Sequence, residues 1–326
     1  MTRERTIPHE DATSVVQARP ELGGGNATPS LALPEGAPEG LPAGLGETRV
    51  GPRTFRWGER TFVMGILNVT PDSFSGDGLL ARASDDPAGR AGIAAAVAQA
   101  QAMAADGADL LDVGGESTRP GHADVDADEE AGRVVPVIRA VRAALPEMPI
   151  SVDTTKPAVA AGALDAGADA INDVWGVASD EALSRLAAER GVPIVLMHNR
   201  AEPRYTNLVP EIVADLQRAI ERALAAGVAW ANILVDPGFG FGKTPDQNLA
   251  LLHDLGRLRM LGRPIVLGTS RKSTLGRILD LPPEERVEAT LATTALGIAA
   301  GVDVVRVHDV RANVRAARVA DAVVRR

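Results

Sequence analysis

Eight short apolar runs recur along this chain, and each ends in a polar or glycine-rich tag. They are FVMGILN ending at Asn68, LLDVGGESTRPG with Asp112, PISVDT with Asp153, and DAINDV with Asn172 and Asp173. The later four are IVLMH at His198, ILVDPGFGFGK at Asp236, PIVLGTSRK at Lys272 and VVRVHD at His308. Amphipathic stretches separate most of the runs. Ile212, Leu216, Ile220 and Leu224 repeat at the spacing of one buried helical face, and Gly227 is a natural stop. Val287, Leu291 and Ile298 form a similar stripe before Gly301. Val314, Val319 and Val323 mark a last helix over residues 312–326. Eight strands alternating with helices predict an α/β chain folded as a (β/α)8 TIM barrel, whose chemistry collects at the C-terminal strand ends. A buried parallel strand reads as a plain apolar run, so a charge at its end needs a reason. For any one tag a helix N-cap is reason enough. For the whole set, a shared site is the better reading.

Ahead of the runs, residues 1–46 are rich in Pro, Gly and small polar residues and show no periodicity. A disordered N-terminal extension is expected there, with the barrel over residues 47–326. The pattern TFRW-GER-TFVM, from Thr54 to Met64, predicts an N-terminal hairpin that leads into the first barrel strand and plugs the face away from the chemistry.

Composition narrows this picture. The chain has 326 residues, and one barrel needs about 250. Aromatic residues are only 3% of the chain, so the core must be built from aliphatic side chains. A formal charge of −9, with acids spread along the chain, argues against a nucleic-acid partner. Cysteine is absent, which excludes disulfides, zinc–thiolate sites and thiol nucleophiles. The first residues lack the apolar core of a signal peptide, and the Ala-rich stretch from Ala91 to Ala105 is too short and polar to span a membrane. A cytoplasmic protein without a membrane partner is expected. Nearly every basic residue is Arg; the three lysines, Lys156, Lys243 and Lys272, each lie in or beside a tag.

The tags carry recognisable chemistry. The loop after Asn68 contains Pro71, Gly76 and Gly78 and is long enough to act as a lid. Asn68 offers an amide oxygen to a metal ion and an NH2 group to a phosphate. The loop from Gly114 to Gly121 combines glycines, hydroxyls and Arg119, which suits an anion, although Ser117 and Thr118 could be helix caps instead. Barrel closure points Asp153, Asn172, Asp236 and Lys272 at one cavity. Two acids, an amide and an ammonium suit a flat nitrogen-rich heterocycle, because a carboxylate can take two parallel N–H bonds from an amidine-like edge. The competing reading is a buried Asp236–Lys272 ion pair, which gains little stability after desolvation. Arg306 and His308 alternate with valines and so share a face, as an anion clamp would require. His198 has no charged neighbour in sequence, so Met197 and His198 are expected simply to wall the cavity.

Taken together, GILNVTPDSFS, DVGGESTRPG, SVDTTKP, IND, DPGFGFGKT, SRKS and RVHDV resemble the motifs of the dihydropteroate synthase family, in that family's order, across roughly residues 62–310. The resemblance implies a (β/α)8 barrel, commonly a homodimer. It also implies condensation of 6-hydroxymethyl-7,8-dihydropterin diphosphate with p-aminobenzoate in folate biosynthesis, in an enzyme that is the target of sulfonamides. Asn68, Arg306 and His308 would hold the pyrophosphate, with Asn68 also meeting Mg2+. Asp153, Asn172, Asp236 and Lys272 would bind the pterin. Thr118, Arg119, Pro120 and Ser273 would frame the p-aminobenzoate subsite, with Phe74 and Phe241 nearby. Asp153, Asp236, Lys272, Arg306 and His308 would serve catalysis. One departure is the first loop, SFSGDGLL, where the family more often has SFSDGG; this shifts the acid Asp77 by one position. A corrinoid-linked methyltransferase would lack the pyrophosphate residues, and a non-catalytic paralogue would have lost a motif.

Overall fold

The computed structural model describes residues 44–69, 90–116, 125–178 and 180–325. Eight parallel strands form the barrel: β3 (Phe62–Asn68), β4 (Leu110–Gly114), β5 (Ile150–Asp153), β6 (Ala170–Asp173), β7 (Ile194–Met197), β8 (Ile233–Asp236), β9 (Val266–Leu267) and β10 (Val304–Val307). Each pairs with its sequence neighbour, and β10 returns to β3 through Val304↔Phe62. Strand β9 is only two residues long, so the ring closes on β8 through one isolated bridge, Val235↔Ile265. The helices around it are α1 (Arg90–Ala105), α2 (Ala127–Ala144), α3 (Pro157–Asp165), α4 (Ala182–Arg190), α5 (Leu208–Ala225), α6 (Pro245–His253), α7 (Ser273–Leu279), α8 (Val287–Ala299) and α9 (Val310–Val324). Among the described residues no helix is long and apolar enough to cross a membrane.

Strand periodicity splits the apolar residues into two cores. Val63, Leu67, Leu111, Val113, Val152, Ile171, Ile194 and Val305 face outward against the helices. Met64, Leu110, Ala170, Val195, Leu234, Val266 and Val304 face inward at the N-terminal end. That inner core is sealed by a hairpin of β1 (Glu47–Val50) and β2 (Arg53–Arg56), which contributes Val50, Phe55 and, just beyond it, Trp57. Phe55, Trp57 and Phe62 pack ring against ring at 4.7–5.8 Å. The Trp57 indole donates to Thr48 Oγ1 at 2.9 Å.

The plug stands where the sequence put it, but its pairing differs. The turn is at Gly51, whose φ is 55°, and RTFR pairs with the preceding ETRV instead of the following TFVM. Phe62 onward is committed to the barrel by its parallel ladder to β10 and β4. Just before β1, Leu45 packs on the inner core, and Trp57 N–H donates to the Gly46 carbonyl.

Helix α5 buries Ile212, Leu216 and Ile220 as the spacing predicts. Of the marker valines on helix α9 only Val314 packs on the core. Val319 and Val323 are 68% and 64% exposed, and the buried face is Val310, Asn313, Ala317 and Ala320. The partner helix α8 buries Thr290, Thr293, Thr294 and Gly297. The two meet through small side chains and a Thr294 Oγ1–H···Oδ1 Asn313 bond of 2.8 Å, so close approach outweighs bulk.

Candidate active site

The periodicity that buries Met64 and Leu110 also turns Asp112, Asp153, Asn172, Asp236 and Arg306 inward, further toward the C-terminal end. Arg306 lies at their centre. Its Nε donates to Asp112 Oδ2 at 2.5 Å and its Nη2 to Asp153 Oδ2 at 2.5 Å. Asn172 Nδ2 donates to Asp112 Oδ2 at 3.0 Å, and the Ser151 hydroxyl to Asp112 Oδ1 at 2.6 Å. Asp112 is therefore fully engaged, whereas the buried Oδ1 of Asp153 has no hydrogen-bond partner among the described residues. An unpartnered buried carboxylate oxygen costs about 1–3 kcal/mol and marks a place where a donor belongs.

Asp236 and Lys272 complete the inner wall. Asp236 Oδ1 accepts the Gly238 N–H at 2.7 Å. Lys272 donates to the Phe239 carbonyl and places Nζ 4.0 Å from the centre of the Phe241 ring. No ion pair joins Asp236 to Lys272 among the described residues, so the competing reading of a buried structural pair is set aside. Burial pushes the Asp153 carboxyl up to about 7 against the pull of Arg306, and it raises Asp236 as well. Burial also lowers the Lys272 ammonium to about 7, against the pull of Asp236. Burial opposes the charge on Arg306 too, but the Asp112 and Asp153 carboxylates more than offset it and hold its pKa above the ordinary value. Asp153 and Lys272 are thus both brought near neutrality by burial among opposed charges.

At the rim, His308 N–H donates to Ser270 Oγ at 3.1 Å, and that hydroxyl lies 2.9 Å from His308 Nδ1. Arg271, in the left-handed conformation at φ 57°, forks onto Asp309 at 2.7 and 3.0 Å. This pair locks the SRKS turn to the end of β10. Ser273 is exposed at the first turn of α7, and Phe241 is half-buried beside Lys272. The Asn68 side chain stands half-buried at the end of β3. Phe74, Asp77, Thr118, Arg119 and Pro120 lie outside the described residues.

Two features depart from the sequence reading. Asp112 joins Arg306, Asn172 and Ser151, although the sequence marked it only as a strand tag. The signal was present: an acid inside an apolar run, at the inward position of β4. His198 is the second case. It does not wall the cavity with Met197. One residue further along the strand, its ring turns outward, with Nε2 3.1 Å from Asp215 Oδ2 on α5 and Nδ1 3.1 Å from Lys243 Nζ. These charged companions come from distant sequence.

Comparison with known proteins agrees with this geometry. Residues 64–308 match the pterin binding enzyme family. A dihydropteroate synthase from Clostridium beijerinckii is 49% identical over 279 residues, covering 85% of this chain and all of the relative. A crystal structure of dihydropteroate synthase from Clostridium difficile in the presence of pteroic acid superimposes with a TM-score of 0.78 at 45% identity, over 83% of this chain and 100% of that one. The Xanthomonas albilineans enzyme with 4-aminobenzoic acid also gives 0.78, at 42% identity, over 85% and 97% of the two chains. With these matches spanning the barrel and its inner wall, the chain belongs to the dihydropteroate synthase family of pterin-binding enzymes.

Proposed function

We propose that this chain, a transferase, condenses 6-hydroxymethyl-7,8-dihydropterin diphosphate with p-aminobenzoate, giving 7,8-dihydropteroate and pyrophosphate. The observation that carries the reading is the buried wall of Asp153, Asn172, Asp236 and Lys272 around an unpartnered Asp153 oxygen. An amino-pyrimidinone edge supplies the parallel N–H donors that such acids need. Relatives have been crystallised in the presence of pteroic acid and with 4-aminobenzoic acid, one a two-part molecule and the other one of its halves.

The chemistry fits these residues without a covalent nucleophile. The exocyclic C–O bond breaks, and its electron pair leaves on the diphosphate. The ring delocalises the developing cation, which the Asp153 and Asp236 carboxylates favour electrostatically. The aromatic amine, neutral near pH 7, then forms the C–N bond and loses a proton to solvent. His308 and the remaining N–H groups of Arg306 face the departing anion. Among the described residues no group of three acids or histidines forms a metal cage. A single hard amide oxygen at Asn68 fits Mg2+, which keeps most of its waters and is held largely by substrate phosphates. Asn68 would hold it beside the diphosphate, where it neutralises leaving-group charge.

Phe241 and Ser273, with Phe74, Thr118, Arg119 and Pro120, are assigned to the p-aminobenzoate side. The protein is taken to act in the cytoplasm as a homodimer, with residues 1–46 outside the catalytic unit. Pyrophosphate release, measured with and without p-aminobenzoate and Mg2+, tests the activity. A folded protein that binds the pterin but releases no pyrophosphate at any Mg2+ concentration overturns it.

A further inference from the structure

The loop Gly238–Gly242 is a thin ribbon between two lysines. Its three glycines are all left-handed, with φ of 68°, 84° and 53° at Gly238, Gly240 and Gly242. Each is pressed against a neighbour. A Cβ at Gly238 would stand 1.8 Å from the His198 carbonyl oxygen, at Gly240 2.6 Å from Lys272 Cδ, and at Gly242 2.3 Å from the Arg200 carbonyl oxygen. The ribbon is thus clamped between the end of β7 and the Lys272 side chain, and its carbonyls turn to opposite sides. Phe239 O meets Lys272 on the cavity side. Gly238 O and Phe241 O meet Lys243 on the other, at 2.9 and 3.0 Å.

Lys243 is fully occupied by this arrangement. An ammonium has three protons, and the third points at His198 Nδ1, 3.1 Å away. For Nδ1 to accept, His198 must carry its proton on Nε2, which then donates to Asp215 Oδ2. Asp215 is itself held by Arg200 at 2.7 Å and by Arg218. Burial keeps His198 neutral by lowering its pKa to about 3. Every acceptor of Lys243 is therefore neutral, and among the described residues no carboxylate lies within ion-pairing distance of it. A buried cation satisfied only by dipoles gains little stability over an apolar side chain of the same size. What it fixes is the direction of two carbonyls, and so the course of the ribbon between Asp236 and Lys272.

We propose that Lys243 is a positioning residue for pterin binding: seated on His198 and Asp215, it sets the ribbon that aims Asp236 and Lys272 into the cavity. Through that ribbon it acts on both, since Asp236 holds the Gly238 N–H and Lys272 holds the Phe239 carbonyl. It also acts through space. The charged groups facing it are Asp236 at the end of β8, Lys272 before α7, Arg200 after β7 and Asp215 on α5. Burial lowers the Lys243 ammonium itself to about 7, against the pull of Asp236, and in its charged form it helps keep Asp236 ionised, alongside the Gly238 N–H, Lys272 and Arg306. A lysine that served packing alone would do neither.

The proposal rests on the pterin reading above, and the test separates the two. A hydroxymethylpterin without the diphosphate is titrated calorimetrically into wild type, K243M and H198N between pH 5 and pH 8.5, with melting curves for each. If the wild type binds no pterin, the functional reading fails first. With a binding wild type, folded K243M is expected to bind about tenfold more weakly at pH 7, the loss of a charge-assisted interaction, with the acidic limb of its binding profile displaced upward. H198N keeps an acceptor near the Nδ1 position and is expected to stay within about threefold of wild type. A folded K243M with unchanged affinity and an unmoved acidic limb overturns the proposal. Should K243M fail to fold, H198L replaces it. Removing only the third acceptor is expected to weaken pterin binding threefold or more, where H198N does not. Equal affinity for H198L and wild type overturns the proposal.

Discussion

Arg306 Nη2 stands 2.5 Å from Asp153 Oδ2, so the last barrel strand and the third share one buried ion pair. The sequence grouped Arg306 with His308 as an anion clamp, leaving Asp153 to the pterin. We read Arg306 as a floor shared by both halves, because two of its donors hold acids and Nη1 has no partner among the described residues.

That placement changes what Arg306→Ala should do. On the sequence alone, the variant spares the bare pterin and harms only the diphosphate. With Asp112 and Asp153 left as uncompensated buried charges, it should instead lose about 3–5 kcal/mol of stability and bind both ligands poorly. His308→Ala, bonded to Ser270 and to neither acid, should lose affinity for the diphosphate form alone. Calorimetry with the two pterins separates the cases, and a bare-pterin affinity left intact in Arg306→Ala would sink the shared-floor reading.

Asp236→Asn should weaken pterin binding by about 2–4 kcal/mol, the worth of a charge-assisted contact in a dry pocket. The amide oxygen can still accept the Gly238 N–H, so the melting temperature should move little. Unchanged pterin affinity in the folded variant would remove Asp236 from the site.

The Asp153 carboxyl has its folded-state pKa raised to about 7, mainly by burial. A raised acid binds more protons folded than unfolded between its unfolded value near 3.9 and that point, so its contribution to stability declines as pH rises through this window. Lys272 is lowered to about 7, so its contribution declines as pH falls from the usual lysine range through that value. A pterin edge that donates two N–H groups requires Asp153 ionised. Binding near pH 7 should therefore release protons from Asp153, and affinity for the bare pterin should rise from pH 6 to pH 8. Titrations in buffers of different ionisation enthalpy measure the release; proton uptake at pH 7 would contradict the assignment.

The fold and most of the inner wall could be read in sequence because both follow from short-range rules. An acid or amide at the end of an apolar run is costly, so Asp153, Asn172 and Asp236 stood out, and barrel closure did the rest. Long-range partners left no such mark. Nothing near His198 in sequence points to Asp215 or Lys243, because a helix and a loop bring them to it. Val319 and Val323 misled for a related reason: hydrophobicity nominated them, but the contact with α8 is made by Thr294 and Asn313 and the small residues around them. The hairpin was legible as a hairpin, yet its register depended on the Gly51 turn and on β10 claiming Phe62.

Cutting the chain before Gly44 should leave turnover and melting temperature nearly intact, since Leu45 and Gly46 are the first described residues bonded to the plug. Trp57→Ala should lose about 3–5 kcal/mol by emptying the inner core, with kcat unchanged in the folded fraction because the plug lies at the far end of the barrel. Denaturant titration and assay of the same samples give both numbers. A Trp57→Ala protein of wild-type stability would show that the plug does not close the core.

Binding of p-aminobenzoate should follow the pterin diphosphate, and Phe241 explains why. Its ring lies against the Lys272 ammonium, 4.0 Å from centroid to Nζ. One face of the ring is thus turned to the Lys272 end of the inner wall. A second aromatic ring gains its full contact only when the pterin fills the space beneath it. Phe241→Leu should raise the p-aminobenzoate KM and weaken sulfonamide competition together. Ser273→Ala should do the same to a smaller extent, because it removes one hydroxyl from an exposed rim. Pterin affinity should fall only slightly in Phe241→Leu, by the about 0.5–2 kcal/mol a cation–π contact is worth, and not at all in Ser273→Ala. Equilibrium dialysis of p-aminobenzoate against the empty protein tests the order directly. Tight capture without pterin would mean that its subsite stands complete on its own.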